Sequence, residues 1–323
     1  MWEYQTNMDF REVVFMSNIV LEKMFEMNRW EELIKKKKEK GINKNVLREL
    51  SKPETRAKFY LTIRDNNYEI APPHIAQIPK DNGTFREVYV NEDIDRIFLS
   101  LANDVLSELY GDMIHPCCTS YQKGKGCGQT VQKVSSLLAS RQGHLKVGYK
   151  ADLSKYFDSV KIEVVDKTFD EMQEKYDLQD CPVFRIIRNY YHNDYVFDVE
   201  GKLIQHYGSL KQGCAVASLL ANIVLRDIDE QLSNMNIVYC RYSDDILMIG
   251  DEADKAIEIL KEKLVEKGLS LNPKKVETLY SDKWFTFLGF KLKESMITLS
   301  KKRVKNFQKE IEERTIKQNI NVD

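Results

Sequence analysis

Two adjacent aspartates between two apolar runs constrain this chain more than any other feature of its sequence. Residues 236–242 and 246–250 each predict a strand, and Ser243-Asp244-Asp245 predicts the tight turn of a hairpin. Adjacent carboxylates repel one another, and flanking apolar strands would exclude the water that relieves this repulsion. Because turns favour aspartate, a structural turn is one interpretation of the pair. The other is that positive charge binds over it.

A third acid favours the second interpretation. Residues 145–152 alternate as a half-buried strand, and Asp152 stands at the C-terminal end of that strand. Hard oxygen ligands of this kind suit Mg²⁺, which prefers carboxylates together with substrate phosphates. Two such ions about 3.5–4 Å apart would activate an attacking hydroxyl and stabilise the leaving oxygen of a phosphoryl transfer. We therefore expect Asp152 to lie beside Asp244 and Asp245.

Charge is balanced over the chain but unevenly distributed. The 323 residues are 42% apolar, enough for a sizeable core, and the net charge is −1. Residues 29–64 hold twelve Lys or Arg against five Asp or Glu, and residues 261–323 hold fifteen against nine. Two basic ends suit a bound polyanion. Taken alone, the run Lys35–Lys40 favours the solvated face of a helix over a binding surface.

Several function classes are excluded at this stage. The six cysteines form no CxxC pair, so neither a zinc ribbon nor a disulfide framework is expected. No apolar run approaches the ~20 residues that span a bilayer, and the N-terminus lacks a signal-peptide pattern. The sequence therefore predicts a protein of a reducing compartment, with a cytoplasmic location and no membrane partner.

The remaining patterns place the acids within a mixed fold. Residues 8–60 are mostly helical in pattern, and residues 78–90 predict a hairpin whose turn is Asp81-Asn82-Gly83. An amphipathic stripe predicts a helix over residues 93–109, and a glycine-rich loop precedes a second helix at about residues 130–138. Without a linker or internal repeat, these elements predict closely packed subdomains.

Five segments, in order, resemble motifs A to E of the reverse transcriptases. They are Asp152-Leu153-Ser154-Lys155-Tyr156-Phe157-Asp158 for motif A, residues 210–222 with Gln212-Gly213 for B, Tyr242-Ser243-Asp244-Asp245 for C, residues 268–275 for D and Phe287-Leu288-Gly289-Phe290 for E. Each segment alone is a weak signal. Five in the right order, over about residues 75 to 292, are specific.

The resemblance implies a right-hand polymerase fold of the α+β class. Its palm would be an antiparallel sheet backed by helices, with α/β fingers and a short helical thumb remnant. We expect a basic helical extension at 1–70, fingers at 71–144, a palm at 145–290 and a short helical, thumb-like tail at 291–323.

The same resemblance implies the catalytic and metal-binding residues. Asp152 and Asp244 would be the main ligands of two Mg²⁺ ions, with the Leu153 carbonyl contributing and Asp245 completing the cluster; Mn²⁺ would be a substitute. Lys275 aligns with the motif D lysine, a candidate proton donor to pyrophosphate. Lys274 beside it keeps that assignment open.

Further residues are implied to contact nucleotide and primer. Phe157 takes the position of a steric gate against the ribose 2′-hydroxyl, with an ordinary core aromatic as the alternative. Gln212 and Gly213 would lie against nucleotide and template, since glycine permits close backbone approach. Lys80 and Arg86 would hold the triphosphate. The primer grip would consist of Phe287, Leu288 and Gly289.

Departures from the family pattern indicate a subclass. Motif B lacks its usual proline, reading Ala217-Ser218, and the 33 residues 291–323 leave no room for a three-helix thumb, maturase or endonuclease region. The chain thus resembles compact bacterial enzymes related to group II intron proteins, of the unknown-group and abortive-infection class that serves antiphage defence. This implies an RNA-directed DNA polymerase that extends a primer with dNTPs, the nascent DNA being copied from a structured noncoding RNA.

Alternatives stay open at the level of sequence. The same site could make untemplated or protein-primed DNA, or the chain could be an RNA polymerase. It could also be a catalytically idle RNA-binding scaffold. Phe157 and the intact acids speak against the last two. A short thumb suggests that grip on the duplex comes from residues 29–64, from the RNA or from other copies in a homo-oligomer.

Overall fold

The computed structural model describes residues 18–38, 41–80, 83–141 and 147–319. Several sequence predictions fall outside these residues. They are the first seventeen residues of the N-terminal extension, the turn residues Asp81 and Asn82, the first strand residues Leu145 and Lys146, and the last four residues of the tail.

Helices and strands alternate irregularly along the chain. The helices are α1 (described residues 18–24), α2 (Met27–Lys38), α3 (Lys44–Leu50), α4 (Pro53–Arg64), α5 (Asp93–Tyr110), α6 (Cys127–Ser140), α7 (Tyr156–Ser159), α8 (Ile162–Lys175), α9 (Pro182–His192), α10 (Ala217–Ile223), α11 (Arg226–Ser233), α12 (Ala253–Glu266) and α13 (Lys301–Asn319). The strands are β1 (His74–Pro79), β2 (Phe85–Val90), β3 (Val147–Asp152), β4 (Tyr195–Phe197), β5 (Leu203–Gln205), β6 (Ile237–Tyr242), β7 (Asp245–Gly250), β8 (Glu277–Tyr280), β9 (Phe285–Phe287), β10 (Phe290–Lys293) and β11 (Met296–Leu299).

These elements form two compact units, each built from two separate stretches of chain. Unit 1 combines the described residues up to Ile114 with Phe157–Val224. Unit 2 combines His115–Tyr156 with the described residues from Leu225 onward. The domain boundaries expected from the sequence remain predictions.

Unit 1 contains a four-stranded sheet and most of the helices. The strand order is β2-β1-β4-β5, in which β1 and β4 are parallel and the other pairs antiparallel. The β1–β2 pair confirms the predicted hairpin, with Ile78 opposite Arg86. Beside it, α5 buries the predicted apolar stripe, and Asp93 and Asp95 stand in its first turn, where negative charge favours the helix dipole. The list of buried stripe residues is Ile97, Phe98, Leu101, Val105 and Leu106.

Unit 2 contains the sheet that carries the three acids. Its order is β6-β7-β3-β8, with antiparallel pairing throughout, and we call it the palm sheet. Strands β6 and β7 are buried over most of their length and, apart from Arg241, mainly apolar or aromatic, because helices pack on the sheet: α6 contacts β6, and α12 contacts β3 and β7. Side chains from α6 and both strands share one apolar core with Phe285, Phe287 and Leu292.

The tail of unit 2 contains strands as well as a helix. A second sheet, β11-β10-β9, is antiparallel and precedes α13. The tail over residues 291–323 was predicted to be helical, and the β10–β11 hairpin was not predicted. The described side chains of α13, residues 301–315, are all exposed.

Candidate active site

The β6–β7 hairpin places two acids at the edge of the palm sheet. Tyr242 pairs with Asp245, so Ser243 and Asp244 form a two-residue turn. Ser243 has a φ of 60°, a left-handed conformation that two-residue hairpins require at a central position. The strands and turn predicted from the sequence are therefore confirmed.

The third acid lies directly across the sheet from this turn. Asp152, the last residue of β3, is the register partner of Asp245 on β7, and opposite residues of antiparallel strands have Cα atoms about 4.5–5.5 Å apart. The Leu153 amide donates to the Asp244 carbonyl at 3.1 Å, which joins the end of β3 to the turn. Acids about ninety residues apart in sequence are thus adjacent, as expected.

The segment resembling motif D closes the site from another side. The Asn272 amide donates to the Asp152 carbonyl at 2.8 Å, and the Ser154 amide donates to the Ser270 carbonyl at 2.8 Å. A short 3₁₀ turn, Pro273–Lys275, follows. It brings Lys275 Nζ to 2.7 Å from Asp152 Oδ2.

The local electrostatics show that the acids are short of positive charge. Burial raises the pKa of Asp244, and the nearby Asp152 raises it further. Burial, Asp244 and Asp152 together raise the pKa of Asp245 to about 6. The hydrogen bond to Asp152 raises the pKa of Lys275, so this lysine stays protonated as a counter-charge. A cation bound here would oppose these effects and lower the pKa of both aspartates.

The donor set fits a hard divalent cation. Three carboxylates and the Leu153 carbonyl supply only oxygen, the ligand type that Mg²⁺ selects. Mutual repulsion between the carboxylates would be relieved by such an ion. Among the described residues, no three His, Cys, Asp or Glu side chains already stand in a geometry ready to hold a metal, so metal binding belongs to the proposal below.

Unit 1 carries the residues that the sequence assigned to the nucleotide. The Tyr89 amide donates to the Gln212 carbonyl at 2.7 Å, and Gly213 has a φ of 109°. A Cβ at Gly213 would lie 2.7 Å from the Tyr89 carbonyl oxygen, so only glycine fits. The half-buried Phe157 accepts at its carbonyl from the Leu210 amide at 2.8 Å, so the Gln212-Gly213 turn and Phe157 are held near one another.

Lys80 and Arg86 lie on the two arms of the β1–β2 hairpin. The Lys80 amide donates to the Thr84 carbonyl at 2.7 Å, and Arg86 pairs with Ile78. Both side chains are exposed, which leaves them accessible to an anionic ligand.

The residues predicted for the primer grip form a turn between β9 and β10 in unit 2. Phe287 is buried, whereas Leu288 and Gly289 have φ values of 49° and 78°. Arg303 of α13 donates to the Leu288 carbonyl at 3.2 Å, and the Ser300 amide donates to the Gly289 carbonyl at 3.1 Å. The tail therefore fixes this turn.

Comparison with known proteins decides the family. Residues 78–292 match the family described as reverse transcriptase (RNA-dependent DNA polymerase), which is about two thirds of the chain. The chain belongs to the reverse transcriptase family. No curated protein matches it in sequence.

Solved telomerases share the reverse transcriptase fold of this chain. A telomerase from Candida albicans, in complex with a fragment of telomeric RNA, aligns with a TM-score of 0.51 and 14% identity over 74% of this chain and 46% of its own. Apo telomerase from Candida tropicalis, truncated from the C-terminal domain, gives 0.52 and 15% over 74% and 58%. At such identities the likeness concerns the fold, which confirms the predicted right-hand polymerase class. This chain spans about half the length of those telomerases.

One feature of this reverse transcriptase family member was not predicted from its sequence. Arg241 of β6 and Asp229 of α11 form an ion pair in which neither side chain is exposed. The available signal was an arginine in an otherwise apolar strand, because a buried charge requires a partner. The partner itself, on a preceding helix, carries no signal in the sequence.

Within the described residues, no helix is both long and apolar enough to cross a membrane.

Proposed function

We propose that this chain is an RNA-directed DNA polymerase that extends a primer hydroxyl with dNTPs. The observation that carries the proposal is the register of the palm sheet, which sets Asp152 opposite the Asp244–Asp245 turn. Three carboxylates in this arrangement serve phosphoryl transfer, where positioning and charge stabilisation supply most of the catalysis.

The predicted site residues of unit 2 each have a role in this proposal. Asp152 and Asp244, with the Leu153 carbonyl and Asp245, would hold two Mg²⁺ ions. When bound, the ions would stabilise the charge on the attacking and leaving oxygens. Lys275, already protonated beside Asp152, would donate a proton to the departing pyrophosphate. The primer would be contacted by the turn that Phe287, Leu288 and Gly289 form.

Unit 1 would supply nucleotide recognition. Lys80 and Arg86 would bind triphosphate oxygens, and Gln212 with Gly213 would contact the nucleotide and template. Phe157 would exclude a ribose 2′-hydroxyl, which distinguishes this proposal from an RNA polymerase. The hydrogen bond from the Leu210 amide to the Phe157 carbonyl supports the assignment, because it fixes the backbone of Phe157 near the Gln212-Gly213 turn.

The deciding experiment measures primer extension by the purified protein on an RNA template. With dNTPs the wild type should extend the primer, and Asp244→Asn should lose about 10³-fold or more of this activity, since a metal ligand is removed. The control is Asp282→Asn, an exposed residue of the same unit, which should extend normally. Preference for rNTPs would indicate an RNA polymerase, and extension without template would indicate untemplated synthesis.

We further propose that the template is a dedicated noncoding RNA in a bacterial antiphage system. The basic stretch of residues 29–64 and the exposed, basic helix α13 suit a structured RNA partner. Sequencing of nucleic acid that co-purifies with the protein should recover one RNA and complementary DNA. Phage plating on cells expressing wild type or Asp244→Asn tests the defence role. Protection by both would favour an idle RNA-binding scaffold.

A further inference from the structure

A buried ion pair lies next to the turn that carries Asp244. Arg241 donates from Nε to Asp229 Oδ1 at 2.8 Å and from Nη2 to Asp229 Oδ2 at 2.5 Å. The remaining arm of the guanidinium, Nη1, donates to the carbonyl of Ser243 at 3.3 Å. One planar group therefore connects α11 to the backbone of the turn.

Arg241 is itself fixed by its backbone. Its amide donates to the Cys117 carbonyl at 3.1 Å, and its carbonyl accepts from the Thr119 amide at 3.1 Å. The hydroxyl of Tyr239 donates to Asp229 Oδ1 at 2.9 Å and so orients the carboxylate. Because its backbone and side chain are both anchored, the guanidinium has little freedom to move away from Ser243.

The turn needs such support because of its conformation. Ser243 has a φ of 60°, at a hairpin position where glycine is usual and a side chain is strained. Its carbonyl is held by Arg241, and its hydroxyl lies 3.0 Å from the hydroxyl of Tyr121. Rotation of the Ser243–Asp244 peptide group would turn Asp244 away from Asp152.

We propose that Arg241 and Asp229 are positioning residues for the catalytic turn: the pair holds the Ser243 carbonyl so that Asp244 faces Asp152. The inference rests on the proposed polymerase function. It goes further by assigning a role to two residues that do not touch the reacting atoms. Lysine could keep the charge opposite Asp229, but its single ammonium cannot reproduce the guanidinium fork that also reaches Ser243.

The first test compares Arg241→Lys with Arg141→Lys. Arg141 is the matched control because its Nη1 donates to the carbonyl of Ile237, at the opposite end of the same strand, at 2.9 Å. We expect Arg241→Lys to lower kcat about 10²-fold, the effect of a displacement near 1 Å, with KM for dNTP changed by less than about threefold. Arg141→Lys should retain the wild-type kcat. Equal kcat values for both variants would overturn the proposal.

A rescue experiment separates positioning from general destabilisation. Glycine adopts a positive φ without strain, so Ser243→Gly should reduce the need for Arg241. The kcat of Arg241→Lys is first divided by that of the wild type, and the kcat of the double variant Arg241→Lys, Ser243→Gly is divided by that of Ser243→Gly. The second ratio should exceed the first at least about fivefold. If Arg241 serves only overall stability, the ratio stays unchanged and the proposal is wrong.

Hydrogen exchange provides a readout that does not depend on activity. In folded Arg241→Lys the amides of residues 243–246 should exchange faster than in the wild type, and those of Arg141→Lys should not. Tyr239→Phe, a milder change on the same network, should shift them in the same direction. Unchanged exchange would overturn the positioning role even if the wild type polymerises DNA. Conversely, Arg241→Lys could exchange faster at these amides while the wild type shows no polymerase activity. That result would support the positioning role and refute only the polymerase function.

Discussion

The buried lysine of unit 1 should make the stability of this protein depend on pH. Lys211 is 1% exposed, its Nζ donates to the Asn193 carbonyl, and it lies 4.7 Å from the centre of the Tyr190 ring. Burial lowers the pKa of Lys211 from 10.5 to about 8. Replacement by methionine keeps the apolar stem and removes the titrating group.

The magnitude follows from proton linkage. The unfolded chain binds the Lys211 proton more tightly than the folded one, so the energetic cost of burying the charge is complete below pH 8. A shift of this size corresponds to about 3 kcal/mol at pH 7 and about 1 kcal/mol at pH 9.5. The cost shrinks as pH rises towards 10.5, so the wild type gains stability in this window relative to Lys211→Met.

Urea unfolding at the two pH values measures this difference. The free energy of unfolding of Lys211→Met minus that of wild type should fall by about 2 kcal/mol between pH 7 and 9.5. The lost hydrogen bond and ring contact add a constant offset, which the comparison of two pH values removes. Lys58→Met, at an exposed position of α4, is the control and should show no such change. A pH-independent difference for Lys211→Met would refute the reasoning.

Three further predictions concern single substitutions. Gly148→Ala should destabilise the fold by about 3 kcal/mol in urea unfolding, because its Cβ would lie 2.3 Å from the Met248 carbonyl oxygen; Gly128→Ala, with open space around it, should cost nothing. Phe157→Ala should raise rNTP incorporation at least about tenfold relative to dNTP, and unchanged discrimination would favour the core-aromatic interpretation. Lys275→Ala should lower the single-turnover rate constant of nucleotide addition about 10²-fold, whereas Lys274→Ala should not. Equal losses in the two variants would contradict the proton-donor role of Lys275.

The features that the sequence predicted are those with a local signal. The apolar runs on either side of Ser243 specify both strands and the turn, and the alternation before Asp152 specifies the end of β3. Once those strands are antiparallel neighbours, the meeting of the three acids follows from strand register alone. The helix Asp93–Tyr110 was equally evident, since its apolar stripe has helical spacing.

The features that escaped prediction depend on pairs of distant segments. The parallel contact between β1 and β4 joins strands of only six and three residues from separate parts of the chain. The β10–β11 hairpin turns at Glu294, whose φ of 50° is unusual for a residue other than glycine, so no turn signal marks it. The Asp229–Arg241 pair likewise needs the packing of α11 on β6, which periodicity does not reveal.

Because each compact unit combines two separate stretches of chain, neither unit can complete its folding early during synthesis at the ribosome. Unit 1 lacks its second stretch until Val224 has emerged, by which time the first stretch of unit 2 is already outside the exit tunnel and lacks its own second stretch. Early nascent chains therefore expose apolar surface that only later residues can cover, a state in which chaperones bind. For the same reason, expression of either unit requires a permuted or fused gene rather than a simple truncation.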